Sequence, residues 1–281
     1  MGRTYRTIGI NLKAMPLGES DRLLSVFSRD RGLLKLVAPH SRSSRSRLGG
    51  RVDLFVVNDL FISAGRNLDR ILQAETVATY QGLNNHLITL TAAQYLGEVV
   101  LYQIHPQQPQ PDLFDWLCAT LDQLQGASSR AALALLVRGL CGILQLEGIA
   151  PEWYQCQESG CKIAIPTADT DWRLGFSFAS GGVFTIRADQ TVGNGSLGGA
   201  GGDRQLTASE VRLGQWLAMP TTQFLAREEF LAQAEAYPFS VWLSLERLLR
   251  QYLQFHLEQP LRVPPSLIVV FHLLGCPSHD H

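Results

Sequence analysis

The chain has 281 residues, of which 46% are hydrophobic and 17% charged, a globular composition that excludes an intrinsically disordered chain. This length suits two or three small domains rather than one core. The formal charge of −1 hides an asymmetry: residues 1–51 hold 11 of the 24 Lys+Arg but only Glu19, Asp21 and Asp30 as acids, so this segment carries +8 and the remainder −9. A basic segment on a near-neutral chain is an electrostatic footprint for a polyanion.

Residues 4–80 read as strands. Residues 4–13 alternate, with Ile8, Ile10 and Leu12 on one face, and lead to a turn at Pro16–Ser20. Residues 21–28 form a second strand, and Asp30-Arg31-Gly32 turns the chain into a third at 33–38. Next comes Ser41-Arg42-Ser43-Ser44-Arg45-Ser46-Arg47-Leu48-Gly49-Gly50-Arg51, where Ser and Gly between arginines make a donor-rich loop able to follow a phosphate backbone. Residues 54–63 and 68–80 complete five strands, for which a small closed OB-fold barrel is the common solution. Bases stack on aromatic rings, and Tyr5, Phe27, Phe55 and Phe61 are those of the barrel; Tyr5 and one of Phe55 or Phe61 are the candidates to face a groove.

The period then changes to helical. Residues 86–105 space Leu87, Leu90, Leu96, Val99 and Val100 on a helix; Asp112 is positioned to cap a second, and Ser128 or Ser129 a third that runs through 130–147. Its apolar stretch, 133–149, is interrupted by Arg138, Gln145 and Glu147, so no membrane span is expected. Residues 172–178 and 182–188 read as strands, and a glycine run at 193–202 as a flexible loop. Thr207-Ala208-Ser209-Glu210 matches a capping box, and Pro238 opens an amphipathic helix. The N-terminus lacks the apolar core of a signal peptide, and five irregularly spaced cysteines fit a reducing compartment, so a cytoplasmic (nucleoid-associated) location is expected.

Chemical motifs are sparse. Cys156 and Cys161 form one C-x4-C pair, whereas a closed zinc site needs four ligands, usually from two pairs. No metal or other cofactor is therefore expected. Gly193-Asn194-Gly195-Ser196-Leu197-Gly198 fits G-x-G-x-x-G, but its helix starts only near Thr207, too late to meet a pyrophosphate. No nucleophile, metal or acid–base constellation stands out, and neither an enzyme nor a small-molecule substrate is expected.

Several stretches together resemble the RecO family of DNA repair proteins. They are Gly18-Glu19-Ser20-Asp21-Arg22-Leu23-Leu24, Phe27-Ser28, Gly32-Leu33-Leu34, Val37-Ala38, the Ser41–Arg47 loop, Leu72-Gln73-Ala74-Glu75, Gly148-Ile149-Ala150-Pro151 before Cys156, and Phe176–Gly182. The resemblance implies an α+β chain: an N-terminal five-stranded OB-fold at 1–82, a helical domain at 83–150 and 206–258, a zinc-finger-like β insert at 151–205, and a tail at 259–281. It also implies binding of single- and double-stranded DNA, strand annealing, and partnership with RecR and the single-strand binding protein in loading a recombinase. Zinc-bearing members carry two C-x-x-C pairs. Here the first is stretched and Val183-Phe184-Thr185 replaces the second, so the insert is expected to fold without metal around Trp153, Trp172 and Phe176.

The expected DNA contacts are Arg29, Arg31, Lys35, Arg42, Arg45, Arg47 and Arg51. Two rival readings stay open: a scaffold gripping an acidic, apolar peptide tail through Arg130 or Arg138, and an RNA-binding OB module.

Overall fold

A computed structural model describes residues 4–43, 46, 48–166, 171–186, 203–220, 222 and 225–257. The chain divides into two compact units between Ala127 and Ser128.

The first unit opens with five strands: β1 (Thr4–Leu17), β2 (Asp21–Ser28), β3 (Gly32–Ala38), β4 (Val56–Ser63) and β5 (Asp69–Thr79). They close into a ring in the order β1-β2-β3-β5-β4. All pairings are antiparallel except β3 with β5, a short parallel closure at Leu36↔Asp69 and Val37↔Arg70. Leu24, Val26, Leu36, Leu60, Ile62 and Ile71 fill the interior. Leu48 and Val52 join them from the segment that follows β3. Helices α1 (Leu87–Gln103) and α2 (Pro111–Leu124) belong to this unit.

The helices bury part of the ring's outer face. Phe27 of β2 meets Phe114 of α2 edge-on at 5.5 Å between ring centroids. Phe55 packs so close to Gly97 of α1 that a methyl group there would sit 3.1 Å from its ring. Ile8, Ile10 and Leu12, expected on one face, are unevenly covered. Ile10 (0% exposed) and Leu12 (6%) are buried, but Ile8 is 42% exposed, and a bulge between Asn11 and Lys13 resets the register at Leu12.

Helix α2 starts one residue before the expected cap. Gln110 is the N-cap, Pro111 takes the first helical position, and Asp112 lies in the first turn, where its charge suits the helix dipole.

The second unit holds α3 (Ser129–Leu146), β6 (Arg173–Ser177), β7 (Gly182–Phe184), β8 (Arg204–Thr207), α4 (Ala208–Ala218), α5 (Arg227–Ala234) and α6 (Phe239–Leu257). Ser128 caps α3 by accepting from the Ala131 amide. Thr207 and Glu210 form the capping box expected at α4. The strands make an antiparallel sheet in the order β7-β6-β8. Its core is aromatic: Phe176 lies 5.5 Å from Trp153 and 5.7 Å from Tyr252, while Trp172 is only half-buried. Helix α3 is long and apolar enough, by length and composition, to cross a membrane, but 67% of it is buried within its unit, as befits a core helix.

Candidate nucleic-acid interface

The arginine segment is rooted at both ends. On the β3 side, the Ser41 hydroxyl donates to the Ala38 carbonyl at 2.9 Å. The Arg42 amide donates to the Ser20 carbonyl at 3.0 Å, and its Nη1 donates to the Gly18 carbonyl at 2.8 Å. His40 adopts φ +51°, and its amide donates to Asp21 at 2.8 Å. That amide is the chief reason the Asp21 carboxyl sits below its ordinary range. The turn between β1 and β2 thus holds Arg42 at the surface.

On the β4 side, two asparagines inside the ring do the work. Asn11 (0% exposed) donates to the carbonyls of Arg51 at 2.9 Å and Asp53 at 3.1 Å, and Asn58 (1%) donates to the Arg51 carbonyl at 2.8 Å. These bonds satisfy backbone acceptors that the apolar interior cannot. With Leu48 and Val52 seated in the core, they fix the 3-10 turn Gly49–Val52 and leave the Arg51 side chain exposed. Arg45 and Arg47 lie outside the described residues, as does the glycine run at 193–202.

The remaining basic residues are engaged differently. Arg29 makes a two-pronged pair with Asp115 of α2 at 2.9 and 2.7 Å, so a phosphate reaching it competes with that carboxylate. Arg31 pairs with Asp30 at 3.5 Å and lies over the Tyr5 ring, 4.5 Å from its centroid. Tyr5 is half-buried and donates to Asp69 at 2.5 Å; burial first, then Asp69, raises its hydroxyl pKa. Phe27 and Phe55 are core, and Phe61 is half-buried. Lys35 donates to the Ser25 hydroxyl at 2.6 Å, and burial, followed by the charge of Lys13, lowers its pKa.

Sequence reading missed Asn11, Asn58 and Lys13. The signal was present for Asn58, a polar residue in step with Leu60 and Ile62 of β4, which fill the interior; Asn11 carried none, because the positions in step with it on β1 are Gly9 and Thr7.

Residues 1–80 match the family description "Recombination protein O N terminal", and residues 84–265 match "Recombination protein O C terminal". The chain belongs to the RecO family. It is 91% identical over 267 residues to the "DNA repair protein RecO" of Thermosynechococcus vestitus, covering 95% of this chain and 96% of that one. It is 43% identical to the RecO of a Cyanothece species, covering 93% of this chain and 94% of that one. The RecO of Gloeobacter violaceus is 38% identical, covering 99% of this chain and 97% of its own.

In this RecO chain the two arginines offered as partner contacts both bond to backbone carbonyls of their own unit, one buried and one exposed. Arg138 of α3 is 3% exposed, donates to the Leu225 carbonyl at 2.8 Å and stacks 4.6 Å from the centre of the Phe230 ring. Its guanidinium faces the inside of its unit, not an outside peptide. Arg130 donates to the carbonyls of Glu235 at 3.1 Å and Tyr237 at 2.8 Å, closing the end of α5.

Cys156 is buried and Cys161 exposed. The two residues are joined by a backbone bond of 2.9 Å from the Cys156 amide to the Cys161 carbonyl. Burial raises the Cys156 thiol, but bonds from the Ser159 side chain and from the backbone at Ser159, Thr185 and Glu158 outweigh it and bring its pKa to about 7. Among the described residues no group of three or more His, Cys, Asp or Glu is placed to hold a metal ion.

Proposed function

We propose that this RecO chain is a non-enzymatic recombination mediator that binds single- and double-stranded DNA, anneals complementary strands, and acts with RecR and the single-strand binding protein to load a recombinase in the bacterial cytoplasm. The strand order β1-β2-β3-β5-β4 supports reading the ring as an OB-fold DNA-binding module at residues 1–82. The observation that carries the proposal is the arginine segment, tied at Arg42 and at the Arg51 carbonyl to a closed ring.

The mechanism is electrostatic. Arg42, Arg45, Arg47 and Arg51 neutralise phosphates and release counterions, with Arg31 and Lys35 beside them and Arg29 competing with Asp115. Guanidinium suits this because its fork grips phosphate oxygens two at a time. About five neutralised phosphates on a single strand give a log–log salt slope of roughly −3.5. Screening the repulsion between two strands while leaving base edges free lets them pair without any covalent step.

The test is annealing of two labelled complementary oligomers coated with single-strand binding protein across a salt series. Fast, salt-sensitive annealing that is lost in Arg42→Ala/Arg45→Ala/Arg47→Ala supports the reading. An unchanged salt slope in that variant defeats the assignment of the loop. A partner-binding scaffold is the second reading. Competition between RNA and DNA oligomers of equal length separates both from an RNA-binding module.

A further inference from the structure

Cys156 and Cys161 of the second unit oppose one another across a short hairpin. Gln155 pairs with Lys162 in an antiparallel bridge, and the Ile163 amide donates to the Tyr154 carbonyl at 2.8 Å. One step further in, the Cys156 amide donates to the Cys161 carbonyl at 2.9 Å. The Gly160 amide closes the turn by donating to the Cys156 carbonyl at 2.8 Å, with Gly160 at φ +69°. Residues opposed in this way send their side chains to one face of the ladder, with Cα atoms about 5.5 Å apart. A disulfide spans about 4.4–6.8 Å between Cα atoms. The hairpin therefore meets the backbone requirement for a bond between Cys156 and Cys161.

The two thiols differ in the way a two-step oxidation needs. Cys161 is exposed, whereas Cys156 is 1% exposed and lies among Phe184, Ile163 and Ile186. The Cys156 sulfur is 3.8 Å from the Thr185 hydroxyl. Burial raises its pKa, but the bonds from Ser159, Thr185 and Glu158 outweigh it and bring it to about 7, so about half is thiolate at neutral pH. An exposed sulfur meets a reagent from solution, and a sheltered thiolate opposite resolves the adduct. Among the described residues no further His, Cys, Asp or Glu joins the pair in a metal-holding group.

We propose that Cys156 and Cys161 are a redox-active dithiol, which a low-molecular-weight disulfide oxidises to an intramolecular disulfide. The Cys161 thiolate attacks one sulfur of the small disulfide. That S–S bond breaks, a mixed disulfide forms on Cys161, and one small thiol leaves. The Cys156 thiolate then attacks the Cys161 sulfur, the mixed bond breaks, and the second small thiol leaves. The cysteines lose two electrons and two protons, and the small disulfide gains both as it becomes two thiols. With only four residues between the cysteines, the closed loop has little entropic advantage, so excess thiol reopens it. Such reversible pairs are the kind that a reducing compartment permits. The chemistry needs neither nucleic acid nor a partner protein, so it stands apart from the reading above.

The experiment treats the reduced full chain with oxidised glutathione in the presence of a chelator, then blocks remaining thiols with iodoacetamide. A glutamate-specific protease cuts the product under non-reducing conditions at Glu158, between the two cysteines. Mass spectrometry of the parent chain is expected to show the Cys156 and Cys161 peptides joined, and dithiothreitol to separate them. Cys156→Ala is expected to keep glutathione on Cys161 as a lasting adduct. Cys161→Ser, a change at an exposed residue, is expected to leave Cys156 at least about tenfold slower to react than Cys161. Circular dichroism verifies that both variants fold. A lasting glutathione adduct on Cys161 of the parent chain overturns the proposal, because Cys156 then fails to resolve it. So does a Cys156 that takes up glutathione in Cys161→Ser as fast as Cys161 does in Cys156→Ala. Joined peptides that contain Cys118, Cys141 or Cys276 in place of this pair overturn it too.

Discussion

Gly32 shows how tightly single residues are specified around the basic face. It sits at φ +68° in the turn between β2 and β3, and a methyl group there would lie 2.2 Å from the His105 carbonyl oxygen and 2.4 Å from that of Gln108. Gly32→Ala combines left-handed strain with a backbone clash, and is expected to cost at least about 2 kcal/mol, read as a lower urea midpoint at unchanged slope. The neighbouring Asp30 gives a pH signature. Burial raises its pKa, but bonds from the Thr7 and Ser28 hydroxyls, the latter at 2.9 Å, outweigh it, and the net shift is downward. A carboxyl depressed in the folded state contributes stability that is fully present above its unfolded pKa, about 3.9, and is lost as pH falls through the folded value. Thermal unfolding followed below pH 5 should therefore show a shallower acid loss in Asp30→Asn than in the parent chain. Equal acid losses would mean that these hydroxyl bonds do not discriminate between the charged and neutral forms.

The elements themselves were largely legible. Period-two alternation placed the first two ring strands and the turns at 30–32 and 64–67 bounded the other three, while Ser128 and the Thr207–Glu210 box marked helix starts because capping is local chemistry. Strand β8 was missed: it has only four residues and runs directly into the cap of α4. The site was half legible. The arginine run shows in the sequence, but what Arg29 and Arg138 touch does not, because their partners lie far along the chain. Asp115 is 86 residues from Arg29, and Leu225 is 87 from Arg138. The same holds for the asparagines that root the loop. Asn58→Ala removes one of two donors to the Arg51 carbonyl and the acceptor of a 3.3 Å bond from Thr76, so it should cost about 1–3 kcal/mol. Hydrogen exchange provides the check, with faster exchange expected at Val52 and Asp53 and little change along β2.

At the scale of the molecule, charge is divided along the chain: +8 over residues 1–51 and −9 over the rest. The net charge of −1 provides no general attraction to a polyanion, so DNA affinity depends on the local basic face and falls steeply with salt. If the arginine loop supplies three of about five phosphate contacts, the triple alanine variant should lower the slope of log affinity against log salt by about two, measured by titration on a single strand. The two anchors of that loop have a consequence for design and for divergence among relatives. Arg42 is tied to the β1–β2 turn, and the Arg51 carbonyl to asparagines inside the ring, so neither attachment depends on the number of residues between them. Lengthening such a span costs only about 0.6 kcal/mol per doubling. Reach is thereby uncoupled from scaffold: residues added between Arg42 and the core residue Leu48 lengthen the loop without moving a strand, so a fluorophore, a spin label or extra arginines can be grafted there at small cost.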